Sequence, residues 1–236
     1  MTRRPTLPAM ALLGVLLVLG GCDATVNEDI RIPPGATEAP DSMTVNGSVI
    51  VGEGARLGST AFRTVNGRIH VGNNAVVGDC GTVNGRMEIG SDAVTGSLQT
   101  VNGSIRAGSG VRIDGDIEMV NGDVWLGAGT AAAGDVITVN GEIEMTATRV
   151  EGDVSNVNGD MLITDGSVVT GKVRVRKAEG NISDSRPVIT IGPQTRILGG
   201  LEFERPVTLY VHETAEVGDI DGAEPVRFSG ERPGQD

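Results

Sequence analysis

Few residues in this chain of 236 carry reactive chemistry. It has two histidines, His70 and His212, two cysteines, Cys22 and Cys80, and one tryptophan, Trp125. A histidine acting as base needs a nucleophile or a bound substrate within hydrogen-bond reach. No Ser/His/Asp, Cys/His or phosphate-loop constellation is spelled out around either one. Aspartates recur beside glycine at Asp79, Asp116, Asp135 and Asp153, where turn chemistry accounts for them. The most regular polar group is an asparagine, found at Asn46, Asn66, Asn84, Asn102, Asn121, Asn140 and Asn158 at steps of 18 to 20 residues. A carboxamide both donates and accepts. A row of them is therefore either a structural amide ladder or a ligand-binding array, and the spacing favours the ladder.

Each of these asparagines is the centre of Val-Asn-Gly, and a degenerate copy, Val26-Asn27-Glu28, precedes the first. A fixed period of this length marks one small unit stacked on itself. After each motif comes an alternating stretch such as Ser48-Val49-Ile50-Val51 or Asp123-Val124-Trp125-Leu126, the pattern of a strand with one inward face. A glycine follows, then a short apolar pair (Ala55/Leu57, Ala75/Val77, Val111/Ile113), then a Gly-Asp corner and a third stretch. Glycine and β-branched residues disfavour helix throughout. The expected fold is all-β: a single-stranded parallel β-solenoid of triangular coils, 18–20 residues each, right-handed, with about 9–10 coils. At roughly 4.8 Å per coil the rod spans about 45–50 Å.

Aligning the units predicts three inward rows. The first holds Val45, Val65, Val83, Val101, Val120, Val139 and Val157. The second holds Val49, Ile69, Met87, Ile105, Val124, Ile143 and Met161, and the third Phe62, Cys80, Leu98, Ile117, Val136 and Val154. The glycine of the motif is expected to supply a positive φ for a sharp corner. The threonine column Thr44, Thr64, Thr82, Thr100 and Thr138 is single, which argues against a flat two-column ice-binding face. Cys80 reads as a buried small hydrophobe.

The ends differ from the middle. Residues 1–22 have a charged start at Arg3-Arg4, an apolar run from Ala9 to Leu19, and Leu19-Gly20-Gly21-Cys22. The run is short for a membrane span and has the layout of an export signal. Its last four residues resemble a bacterial lipobox. That resemblance implies cleavage before Cys22, acylation of Cys22 and anchoring of the chain to a membrane. The expected organisation is a lipoprotein signal over 1–22, an N-terminal capping coil over 23–44, the repeat solenoid over 45–171, degenerate coils and a C-terminal cap over 172–228, and an unstructured tail over 229–236. Asn181 to Pro187 reads as a loop.

The formal net charge is −12. Removing Arg3 and Arg4 with the leader leaves 17 − 31 = −14. That balance speaks against nucleic acid and against electrostatic attraction to anionic lipid. Outward positions run from basic (Arg68, Arg86, Arg106) to acidic (Asp123, Glu142, Glu144, Asp160), a pattern suited to head-to-tail association of rods. Trp125 sits at an outward position in the column of Ile50, His70 and Leu162, where an exposed indole offers a contact for sugar or protein. No cofactor or metal is expected.

The strand pattern Val-Asn-Gly-x-Ile-x-Val-Gly with its Gly-Asp-Ile/Val corner resembles the bactofilins, polymer-forming cytoskeletal proteins built on a short β-helix, and the bacterial envelope β-strand-repeat proteins that include an adhesin-like group. The resemblance covers residues 45–173 well and 188–222 loosely. It implies end-to-end polymerisation without nucleotide, while the lipobox departs from a cytoplasmic cytoskeletal role. Val71-Gly72-Asn73-Asn74-Ala75-Val76 and Ile89-Gly90-Ser91-Asp92-Ala93-Val94 also resemble the hexapeptide units of β-helix acyltransferases, which need a catalytic histidine. The leading expectation is a non-enzymatic, lipid-anchored scaffold, adhesive or self-associating, in the cell envelope. A glycan- or protein-binding module using Trp125 is the alternative.

Overall fold

The computed structural model describes residues 23–177, 186–230 and 232–233. The expected export segment, Cys22, most of the expected 181–187 loop and part of the expected 229–236 tail lie outside the described residues. Among the described residues there is no helix. The chain winds through three parallel sheets, two of eleven strands and one of seven, in a β-solenoid of about ten turns. The first sheet runs from Asp23–Thr25 to Ile220–Asp221 and the second from Ile30–Ile32 to Pro225–Phe228. The third runs from Val94–Thr95 to Glu216–Val217 and is continued backwards by the bridges Arg56↔Val76 and Val76↔Val94. Each coil contributes one strand to each of the two eleven-strand sheets. The eleven-strand sheets therefore measure about 48 Å along the rod at the usual strand spacing.

The core is a set of inward columns. Val49, Ile69, Met87, Ile105, Val124, Ile143 and Met161 are all at most 1% exposed, and Phe62, Cys80, Leu98, Ile117, Val136 and Val154 likewise. The register Phe62↔Cys80↔Leu98↔Ile117↔Val136↔Val154 stacks the second set directly. The apolar pairs Ala55/Leu57, Ala75/Val77 and Val111/Ile113 fill the third corner and sheet.

The first expected row is not in the core. Val45, Val65, Val83, Val101, Val120, Val139 and Val157 are half-buried, and the threonines before them are buried instead. The cause is strand length. Phe62–Asn66 is one continuous strand with the pattern in, out, in, out; an inward Phe62 makes Thr64 inward and Val65 outward. Three of the inward hydroxyls bond a backbone carbonyl of the coil below. Thr44 donates to Glu28 O at 2.8 Å, Thr64 to Gly47 O at 2.8 Å and Thr82 to Gly67 O at 3.3 Å. In the seventh Val-Asn-Gly repeat Asn156 takes the threonine's place and donates to Gly141 O at 2.8 Å.

The motif glycine also has a different role from the one expected. Only Gly122, Gly141 and Gly159 adopt positive φ (132°, 146° and 134°). What all seven share is close approach to the coil below. A Cβ on Gly103 would lie 1.7 Å from Gly85 O, and one on Gly85 would lie 1.8 Å from Gly67 O. The column is glycine because a backbone carbonyl occupies the side-chain position.

Candidate functional site

The asparagines form one continuous chain of side-chain hydrogen bonds on the exposed corner between the first and second sheets. Each Nδ2 donates to Oδ1 of the preceding coil. Asn46 reaches Asn27 at 2.6 Å, Asn66 reaches Asn46 at 2.9 Å, and Asn84 reaches Asn66 at 2.8 Å. Asn102, Asn121, Asn140 and Asn158 continue it at 2.9 Å each. Every carboxamide inside the ladder spends one donor and one acceptor on its neighbours. The last acceptor, Asn158 Oδ1, takes a hydrogen bond from Arg205 Nη1 at 2.5 Å.

The corner aspartates are occupied with the backbone. Asp116 accepts the Asp135 amide at 2.8 Å, Asp135 the Asp153 amide at 2.8 Å, and Asp153 the Lys172 amide at 2.7 Å. Asp79 accepts from Ser97 N at 2.8 Å. These carboxylates replace ladder partners at the turn. Among the described residues no group of three or more His, Cys, Asp or Glu is placed to hold a metal.

The two histidines do not converge. His70 faces outward on the second sheet with Nδ1 3.7 Å from Glu88 Oε2. His212 lies seven strands further along the same sheet, about 34 Å away, buried at 7% exposure with its ring edge-on to Phe228 at 5.0 Å. Cys80 is 1% exposed, and burial first, with the Asp79 charge second, pushes its thiol up to about 12. A thiol so placed is inert as a nucleophile.

Trp125 belongs to the outward column Arg31, Ile50, His70, Glu88, Arg106, Trp125, Glu144, Leu162, Thr190, Tyr210, Val226. The Arg106 guanidinium lies 4.5 Å from the indole centroid, a cation–π contact on one coil side. Glu144 is the next residue up the column. Together with Leu126, Gly127 and Thr146 they line a shallow depression of about 310 Å³. A second depression, about 500 Å³, sits at the C-terminal coils between Arg186, Glu204, Arg205 and Glu224.

The charges that looked like one face in the sequence occupy two columns. Arg106 and Glu144 flank Trp125 on the second sheet. Arg68, Arg86, Asp123, Glu142 and Asp160 line the corner beside the asparagine ladder, stacked with Ser48 and Ser104 by backbone bonds such as Val49 N to Arg68 O and Val124 N to Glu142 O. Burial, then Glu144, Asp123 and Asp160, holds the Glu142 carboxyl above the ordinary range. The ladder-ending role of Arg205 carries no sequence signal, because its segment lies 47 residues from Asn158 and outside the motif. No protein-family model, curated protein or solved structure matches the chain.

Proposed function

We propose that the chain is a non-enzymatic β-solenoid scaffold of the bacterial cell envelope, anchored through acylated Cys22 and acting by self-association or adhesion. The observation that carries this reading is the unbroken stack. Eleven-strand sheets, the asparagine ladder and the aspartate corners commit the recurrent polar groups to holding coil on coil. The described strands begin at Asp23, so an anchor on Cys22 would join the rod with no spacer. Acylation is tested by metabolic labelling with a fatty-acid probe. Wild type is expected to label and fractionate with membranes, Cys22→Ser to do neither; equal labelling of both would remove the anchor. Self-association is tested by sedimentation across a concentration series and by electron microscopy.

A second reading, a glycan or envelope-protein contact at Trp125, is favoured by the Arg106–Trp125–Glu144 depression. It combines an aromatic platform with a cation and an acid. Trp125→Ala is expected to abolish any glycan-array signal; an unchanged binding profile would place the contact elsewhere.

A further inference from the structure

The half-buried valine column is unlike the other outward columns. Its neighbour on the same face of the first sheet reads Met43, Arg63, Gly81, Gln99, Glu118, Ile137, Ser155, with no preference for any type. The valines do not vary over seven coils, although burial does not require them. They make a flat apolar stripe bordered by the asparagine ladder. Beyond the ladder stands the corner column Ser48, Arg68, Arg86, Ser104, Asp123, Glu142, Asp160.

That corner column changes sign about its centre. One coil from Ser104 stand Arg86 and Asp123, two coils away Arg68 and Glu142, three coils away Ser48 and Asp160. From this self-complementarity we infer that the valine stripe is the face on which a second copy of the chain docks, antiparallel, about a twofold axis that lies along the strand direction through the coil of Val101. The inference rests on the self-association reading above and names its surface.

The axis brings Val101 to Val101, Val83 to Val120, Val65 to Val139 and Val45 to Val157. On the rim Arg68 meets Glu142 and Arg86 meets Asp123, each twice by symmetry. Asp160 meets Ser48. In the neighbouring column Arg63 meets Ile137, Gly81 meets Glu118 and Gln99 meets itself, so no like charges oppose. Moving the axis one coil toward the N-terminus puts Arg86 on Arg86; one coil the other way puts Asp123 on Asp123. Charge therefore disfavours both whole-coil shifts, and valine supplies the adhesion. Among the described residues Arg68 makes no ion pair within its own chain. Six coil steps give a stripe about 29 Å long, and a five-residue strand is about 16 Å wide. Two such faces bury roughly 1,000 Å², the small end for a specific interface. The pairing is thus weak and reversible, suited to molecules concentrated on a surface.

The experiment uses the whole chain with Cys22→Ser, so that buried Cys80 is the only native thiol. Ser104→Cys stands on the axis, and Arg149→Cys on the third sheet is the control. Under mild oxidation Ser104→Cys is expected to form a disulfide dimer and Arg149→Cys none. In sedimentation equilibrium Arg68→Glu and Glu142→Arg are each expected to weaken dimerisation about ten-fold, and the double variant to restore it. If wild type associates but Ser104→Cys does not cross-link and the double variant is no better than the singles, this face is wrong while self-association stands. If wild type is monomeric at every concentration, the face and the self-association reading fall together.

Discussion

Arg205 Nη1 donates to Asn158 Oδ1 at 2.5 Å and to the Val157 carbonyl at 3.1 Å. The contact places a cation on the acceptor end of the asparagine ladder. All the ladder bonds run the same way, from each Nδ2 to the Oδ1 of the preceding coil, so the carboxamide dipoles add along the rod. Their negative end emerges at Asn158, and hydrogen-bond chains of this kind polarise one another. Arg205 is 8% exposed, which makes its charge effective there and costly to strand.

Arg205→Met is therefore expected to loosen the last coils selectively. Hydrogen bonds to a charged group are worth about 1.5–3 kcal/mol, and quasi-one-dimensional stacks lose stability locally. Amide exchange should accelerate over residues 186–230 while residues 49–145 keep their protection. Uniform acceleration along the rod would show that Arg205 has no special tie to the ladder's end.

The inward threonines provide an internal comparison. Thr64 Oγ1 bonds Gly47 O at 2.8 Å, whereas Thr100 and Thr138 hydroxyls are buried without a partner. Met119 already fills the equivalent position one coil on, at 1% exposure. Thr100→Val and Thr138→Val are expected to be neutral or to raise stability by up to about 1 kcal/mol, since they remove an unpaired buried hydroxyl. Thr64→Val loses a bond and should cost about 1 kcal/mol. Urea midpoints of the three variants test the ordering.

How much was legible follows from what the repeat encodes. Period and alternation announced a parallel solenoid, and two of three core rows read correctly because their members are apolar without exception. The valine row lies outside the core, half-buried. Valine is the most apolar residue of its motif, and hydrophobicity cannot say whether the strand before it runs straight into the corner. The backbone settles that: Phe62 and Thr64 alternate inward on one strand, and the threonine hydroxyl is satisfied by a glycine carbonyl below. The glycine itself was legible as a requirement but not in its reason, since a steric approach between coils leaves no mark on a local turn pattern. Arg205 was invisible because it belongs to no repeat.

That glycine column gives a sharp expectation. A Cβ on Gly103 would sit 1.7 Å from Gly85 O, so Gly103→Ala forces two coils apart and breaks ladder bonds on both sides. The cost should exceed about 3 kcal/mol, in the class of large backbone effects. Gly54 is the contrast. Its φ is +68° but a Cβ there meets nothing within 4 Å, and Gly54→Ala should cost only the left-handed penalty of about 1 kcal/mol. Thermal melts of the two variants should differ widely.

The corner after the second sheet uses left-handed residues throughout: Gly54, Asn74, Asp92, Gly110, Gly129 and then Ala147 at φ +47°. Alanine has neither glycine's freedom nor the local hydrogen bonding of asparagine. Ala147→Gly is expected to stabilise the chain by about 0.5–1 kcal/mol, and Ala147→Val to destabilise it. A fall in melting temperature for Ala147→Gly would mean that the methyl contributes packing worth more than the strain.

Acidic groups on the rod respond to pH in opposite directions. Hydrogen bonds from Lys172 and Arg174 hold the Glu202 carboxyl below the ordinary range, so the stability it adds is present above its unfolded pKa and is lost as pH falls through the folded one. Glu142 is the reverse. Burial and the charges of Glu144, Asp123 and Asp160 raise its pKa, so the folded state holds that proton more tightly than the unfolded chain. Its favourable contribution is complete below the unfolded pKa and disappears as pH rises through the folded value. At neutral pH the ionised group is a liability in the isolated chain. Glu142→Gln is therefore expected to raise the melting temperature at pH 7, with the gain shrinking to nothing toward pH 4. A gain that is constant with pH would assign the effect to packing of the amide rather than to charge.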